Sequence, residues 1–112
     1  KVIIVGNQQS FWNKITSTQK NELQLVLKEI MINMKKHSHA SNIAVVFKQE
    51  NSRIFIMYKD DGIGFGSGFE FGNGLNNTVI RINSLNGEIN FGKSEKHGAS
   101  ITISFPMESS KI

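Results

Sequence analysis

Glu29, Asn33 and Lys36 follow one another at helical spacing, Asp60 opens the turn Asp60-Asp61-Gly62-Ile63-Gly64, and Gly72-Asn73-Gly74-Leu75 comes about ten residues later. These three stretches offer complementary chemistry. A helix carrying a carboxylate, an amide and a cation can orient or activate a water, lend a neutral oxygen to a hard cation such as Mg²⁺, and meet phosphate oxygens. An acid fixed at a turn can accept a hydrogen bond from an exocyclic amine, as adenine offers at N6, and glycines on either side of Ile63 let a ligand come close to the backbone. Free N–H groups at a glycine-rich helix start, together with the helix dipole, suit an anion. The second turn is not a Walker loop, because no Gly-Lys-Ser/Thr follows. Nor is it a dinucleotide fingerprint, because it does not join a first strand to a first helix.

Plain structural readings stand beside these. Asp60 and Asp61 could be solvated turn carboxylates. Glu29 and Lys36 could bond to each other or to water at a helix edge. On a helical wheel of about 100° per residue with Glu29 at zero, Asn33 falls near +40° and Lys36 near −20°. Val26, Ile30, Leu23, Met34 and Leu27 lie to one side of that stripe, and Leu25 and Ile32 lie to the other. Gln24, Lys28 and Lys35 point the opposite way, toward water. The wheel therefore predicts polar groups flanked on both sides by apolar ones, an expensive arrangement unless something satisfies it.

The elements that must position these residues are legible from periodicity and turn residues. Lys1 to Val5 reads as a strand, followed by a polar stretch holding Phe11 and Trp12. Ser17 or Thr18 is the expected N-cap of a long helix ending near His37. Asn42 to Gln49 and Arg53 to Lys59 read as a hairpin around Glu50-Asn51-Ser52. A glycine-rich loop from Asp60 to Gly74, too long for a mere turn, leads into a helix from Leu75 to Leu85 that ends near Asn86-Gly87. Glu88 to Gly92 and Ser100 to Phe105 make a second hairpin, closed off by Pro106. The economical architecture is α+β, a two-layer α/β sandwich in which a mixed sheet carries helices on one face.

At 112 residues the chain is expected to be a single domain, residues 1–112. It opens on Lys1 rather than Met and shows no signal peptide, so it is expected to be the C-terminal fragment of a longer protein. It has no cysteine, hence no disulfide and no thiolate site, which fits a reducing compartment. No apolar run approaches the ~20 residues of a membrane span, so no membrane contact is expected of this domain. The net charge of +4 invites a nucleic-acid reading. Against it, the lysines are scattered, only Lys35 and Lys36 are adjacent, and arginine occurs only as Arg53 and Arg81. Phosphate tracking wants a clustered stripe, and no nucleic-acid partner is expected. His37, His39 and His97 show no spacing for a zinc site.

The run Lys28 to Ala40 resembles the N box of bacterial sensor histidine kinases, Asp60 to Gly64 resembles their G1 box, and Gly72 to Leu75 their G2 box. Gly87-Glu88-Ile89 and Gly98-Ala99-Ser100-Ile101 fall where that family keeps its closing hairpin. The resemblance covers about residues 17 to 107 and is closest to short-lid subfamilies with Lys-His after the N box, including sensor kinases with tetratricopeptide repeats. It implies the Bergerat fold, shared with gyrase and the mismatch-repair ATPases, and a domain that binds ATP with Mg²⁺. It further implies that Asn33 coordinates the metal and that Glu29 supports the catalytic geometry. Lys36 and His37 would lie near the phosphates, Asp60 would bind the adenine amine, and Gly62 and Gly64 would make room for the base. Gly72, Asn73, Gly74 and Leu75 would close over the phosphates.

Two departures matter. Ala99 stands where relatives keep a Thr at the base site, which predicts weaker adenine binding unless Ser100 substitutes. The lid Phe65 to Phe71 is very short, and its phenylalanines would either cover the nucleotide or plug the core edge. By resemblance the partners are the dimerisation and phosphoacceptor domain of the parent protein and, through the full-length kinase, a response regulator. The setting is cytoplasmic, in a parent that could be membrane-anchored. An anti-sigma-factor serine kinase of the same fold and a non-catalytic nucleotide- or partner-binding module remain as alternatives.

Overall fold

Every second residue of β5 (Ala99–Pro106) is buried: Ala99, Ile101, Ile103 and Phe105. The same alternation in β3 (Arg53–Asp60) buries Ile54, Ile56, Tyr58 and Asp60, because successive strand side chains point to opposite faces. The computed structural model describes residues 1–37, 39–63, 73–93 and 98–107. Its remaining elements are β1 (Val2–Val5), α1 (Gln9–Trp12), α2 (Ser17–His37), β2 (Ile43–Glu50), α3 (Asn73–Ser84) and β4 (Glu88–Lys93). The five strands form one sheet in the order β1-β2-β3-β5-β4. It is mixed: β1 runs parallel to β2, and the other neighbours are antiparallel. Both long helices cover the face that carries the alternating buried residues, which gives the expected two-layer sandwich.

The predicted elements recur with small changes at their ends. The β2–β3 turn has Asn51 and Ser52 at positive φ, 51° and 67°, between the paired residues Glu50 and Arg53. Two left-handed residues form the turn whose twist matches the flanking strands. Helix α3 ends with Asn86 at φ 60°, while Asn86 N–H donates to Asn83 O and Gly87 N–H to Ile82 O. The left-handed position is therefore Asn86, with Gly87 one residue beyond it.

Three features differ from the sequence reading. The N-cap of α2 is Thr16, not Ser17 or Thr18. Gln19 N–H donates to Thr16 Oγ1 at 3.0 Å, and Thr16 N–H donates back to Gln19 Oε1 at 3.1 Å. That reciprocal pair needs a Glu or Gln three residues on, which only Thr16 has. Gln19 is fully buried, and its Nε2 also donates to Pro106 O at 2.9 Å, which ties the helix start to the end of β5. Secondly, the polar stretch contains the short helix α1. Its Phe11 and Trp12 pack edge-on with each other and against Phe47 of β2, with ring centroids 5.2 to 5.6 Å apart. Gly6 precedes it at φ 86°, where a Cβ would lie 2.0 Å from Phe47 O. Thirdly, Leu23, Val26, Ile30 and Met34 of α2 are buried as predicted, but Leu25 and Ile32 remain 44% and 42% exposed. The polar stripe thus has core on one flank and an open edge on the other. All four residues of β1 are also about half exposed, as an edge strand allows.

Gln19→Ala should lower unfolding free energy by roughly 2 kcal/mol, since it removes a capping partner and leaves Pro106 O short of a donor. Thr16→Ala should cost about 1 kcal/mol, and Ser17→Ala less than about 0.5. Urea unfolding of the three variants checks the order. Ser17→Ala costing as much as Thr16→Ala would contradict the assigned cap.

Candidate nucleotide site

Asp60 ends β3 on the core face and is only 5% exposed. A buried carboxylate is tolerable only when donors replace its water. Here Gly62 N–H donates to Oδ1 at 3.0 Å, Ala99 N–H donates to the same oxygen at 2.9 Å, and the Tyr58 hydroxyl donates to Oδ2 at 2.6 Å. The strand, the glycine turn and the start of β5 therefore meet on one side chain. Burial first, then the hydrogen bond to Asp60 and its charge, pushes the Tyr58 phenol well above its ordinary range. The phenol stays neutral and donates. Gly98 is forced by the same crowding: a Cβ there would sit 1.8 Å from Asp60 O.

Asp61 has the same chemistry and a different task. It is exposed, its Oδ1 accepts the N–H groups of Ser41 and Asn42 at 2.8 and 2.9 Å, and its Oδ2 accepts Asn42 Nδ2 at 2.8 Å. The acid pins the chain entering β2 to the turn leaving β3. Those donors, Asn42 N–H foremost and the Asn42 side chain next, hold its carboxyl below the usual aspartate value.

On α2, Glu29 and Asn33 are half-buried and Lys36 is exposed. Asn33 Nδ2 donates to Glu29 O at 3.0 Å and to Glu29 Oε2 at 3.3 Å. Glu29 is thus oriented by Asn33. No ion pair joins it to Lys36 among the described residues, and Lys36 lies two turns, about 10 Å, further along the axis. Because Nδ2 is committed and no buried polar atom lacks a partner, Asn33 Oδ1 faces solvent. Arg81 Nη1 of α3 donates to Glu22 Oε1 of α2 at 2.9 Å, and a 130 Å³ cleft between the helices is lined by Leu25, Lys28, Glu29, Asn77, Thr78 and Arg81. Glu22 beside Arg81 and Glu29 beside Asn77 and Thr78 make the helices antiparallel. The first N–H groups of α3, at Asn73 and Gly74, have no intrahelical acceptor.

The structure brings Asp60, Gly62 and the residues that open β5 together at one point. The Glu29–Asn33 pair lies along α2, facing α3. Leu75 is fully buried and its side chain belongs to the core, so any part it takes in binding a ligand runs through its backbone. His37 is the last residue of α2, and His39 is exposed with φ 55°. Gly64, Gly72, the segment Phe65 to Phe71 and His97 lie outside the described residues. Ser100 does not stand in for Ala99: alternation along β5 turns Ala99 to the core face and Ser100 to the other. Sequence reading missed Tyr58, the Glu22–Arg81 pair and Ala99 N–H. Only Tyr58 left a local signal, a polar group two residues before Asp60 and so on the same face of the strand.

Asp61→Asn should destabilise the fold and leave nucleotide affinity within about twofold, because both of its oxygens are taken up by Ser41 and Asn42. The carboxyl lies below its ordinary 3.8 in the folded state, so its contribution is fully present above that value. It is lost as pH falls from 3.8 through the folded-state value, and the stability gap between wild type and variant should close over that interval. Chemical denaturation from pH 7 to 2 measures it. A gap unchanged across that range would refute the assignment.

Residues 18–109 match the family described as histidine kinase-, DNA gyrase B-, and HSP90-like ATPase. Sensor histidine kinase YxjM of Bacillus subtilis is 29% identical over 82 residues, which is 73% of this chain and 20% of that protein. Sensor histidine kinase DesK of the same organism is 26% identical over 96% of this chain and 29% of its own length. The chain thus spans less than a third of these relatives. Among solved structures, the histidine kinase domain of the blue-light activated histidine kinase of Erythrobacter litoralis EL346 has a TM-score of 0.80, with 15% identity over 95% of this chain and 54% of that one. The ATP-binding domain of PrrB from Mycobacterium tuberculosis gives 0.69 at 22% identity, over 80% and 69%. With a family match across residues 18–109 and a mixed five-stranded sheet covered by helices on one face, this chain belongs to the histidine kinase-, DNA gyrase B-, and HSP90-like ATPases as an ATP-binding domain of the sensor-histidine-kinase type.

Proposed function

We propose that this chain is one domain of a longer sensor kinase, in which it holds Mg-ATP and presents the γ-phosphoryl group to a histidine on a separate dimerisation domain. The observation that carries this reading is the Asp60 carboxylate held by Tyr58, Gly62 and Ala99, an acceptor built into the sheet at the end of β3 and turned to the helix-covered face. In this reading Asp60 accepts the adenine N6 amine, and Gly62 and Gly64 leave room for the base. Lys36 and His37 lie toward the phosphates, over which Gly72, Asn73, Gly74 and the backbone of Leu75 close. Asn33 fits a hard cation, since its amide nitrogen is occupied by Glu29 and its oxygen is free to face outward. Bound Mg²⁺ would neutralise phosphate charge. Glu29, held by Asn33, orients the reacting groups.

The transfer itself would be mostly positioning and charge stabilisation, with little covalent work for the protein. The acceptor histidine would come from the parent's dimerisation domain, and a response regulator would take the phosphoryl group onward from the full-length kinase. We place this domain in the cytoplasm. Among the described residues no helix is long and apolar enough to cross a membrane.

Calorimetry should detect ATP or ADP binding that strengthens with Mg²⁺, and Asn33→Ala should remove the metal dependence with the fold intact. Asp60→Asn should weaken binding by roughly 1–3 kcal/mol by mispairing a buried polar group. No heat and no thermal shift at millimolar nucleotide would end the proposal. With γ-labelled ATP, the chain alone should stay unlabelled, and adding the parent's dimerisation domain should produce acid-labile phosphohistidine on that partner. Acid-labile label on the isolated chain would contradict it. Acid-stable phosphoserine on a partner protein would point to a serine kinase of the same fold.

A further inference from the structure

Tyr58 is the only tyrosine in the chain, and it lies 2% exposed in the hydrophobic core. A phenol hydroxyl in such a place needs a partner, and this one has Asp60 Oδ2 at 2.6 Å, a short distance for O–H to a carboxylate oxygen. Gly62 N–H and Ala99 N–H, which also donate to Asp60, are backbone groups, and both converge on Oδ1. The Tyr58 hydroxyl on Oδ2 opposes rotation of the carboxylate about its Cβ–Cγ bond. Ala99 has no polar side-chain atom to do the job, and Ser100 faces the other side of the sheet. The strand itself presets the geometry: residues two apart share a face, and Ile56, Ile101 and Ile103, all buried in the same core, pack the ring's neighbourhood.

We propose that Tyr58 is a positioning residue for base recognition: its hydroxyl holds the Asp60 carboxylate in the one orientation that meets an exocyclic amine. This rests on the reading of Asp60 as the adenine acceptor. Because the donor is neutral and buried, it constrains Asp60 without competing as a charge. A tyrosine here therefore sets how sharply the site distinguishes an amino-purine from a purine that lacks the amine.

The test is titration of wild type and Tyr58→Phe with two ligands in the presence of Mg²⁺: ADP, and the diphosphate of purine riboside, which lacks the 6-amino group. Wild type should prefer ADP. Tyr58→Phe should lose roughly tenfold in affinity for ADP, the size of one hydrogen bond to a charged group, and less than about twofold for the analogue. Unchanged ADP affinity would overturn the proposal, and so would an equal loss for both ligands, which is what a merely structural role would give. Equal binding of the two ligands by wild type would remove the adenine reading of Asp60 itself, and the proposal with it. Should Tyr58→Phe fail to fold, growth on 3-fluorotyrosine labels this one position in the otherwise unaltered chain. Its fluorine resonance should move when ADP binds and move much less with the analogue. A resonance that responds equally to both, or to neither when binding is saturated, would overturn the proposal.

Discussion

A carboxylate with almost no exposure to water is costly to bury, and in this fold the cost is met by drawing donors from three separate parts of the chain. Tyr58 on the same strand, Gly62 in the following turn and Ala99 at the start of β5 all converge on Asp60. An unpaired carboxylate in that place would cost several kcal/mol, and loss of any one donor leaves the carboxylate short of a partner. Much else follows from meeting that requirement. β5 must begin close beside the end of β3, which the Lys59–Ser100 pairing provides, and residue 98 must lack a side chain because Asp60 O occupies its Cβ position. The arrangement that makes Asp60 an acceptor in the sheet is also the one that sets where the glycine turn departs.

Two neighbouring acids illustrate how little residue type alone decides. Asp60 and Asp61 are adjacent, yet one is turned into the core by strand alternation and the other leaves the strand into water. Asp61 then binds the backbone where β2 begins, fastening the entry of β2 to the exit of β3. Its contribution is mechanical, a tether at the edge of the site. Asp60 faces the helix-covered side of the sheet.

The helices are held by effects of unequal size. Burial of Leu23, Val26, Ile30 and Met34 sets which face of α2 meets the sheet, at roughly 1.5–3 kcal/mol for each side chain. The half-exposed Glu22–Arg81 pair adds at most about 1 kcal/mol. Its value lies in register: together with the cap at Thr16 and the Gln19–Pro106 bond, it fixes how far α2 extends past α3.

Local periodicity was enough to identify the five strands, both long helices and the buried stripe of α2, because a period of two or 3.6 states which side of an element avoids water; the turn read as Glu50-Asn51-Ser52 tightened to Asn51 and Ser52 once Glu50 paired with Arg53. It also singled out the Glu29–Asn33 stripe, since a polar residue beside an apolar face stands out against that pattern, whereas Asp60 was marked by the glycine turn that follows it. Periodicity is silent about what lies opposite. Leu25 and Ile32 read as buried flanks and are half exposed, for no element covers that edge among the described residues. Thr16 displaced Ser17 as the cap because Gln19, itself held by Pro106 from the far end of the chain, completes the reciprocal bond there. The partners of Asp60 at Ala99 and of Arg81 at Glu22 are 39 and 59 residues distant in the chain. Such contacts exist only once the strands are ordered and the helices packed, so the sequence determined which residues could do the chemistry, and chain reversal in three dimensions decided which of them meet.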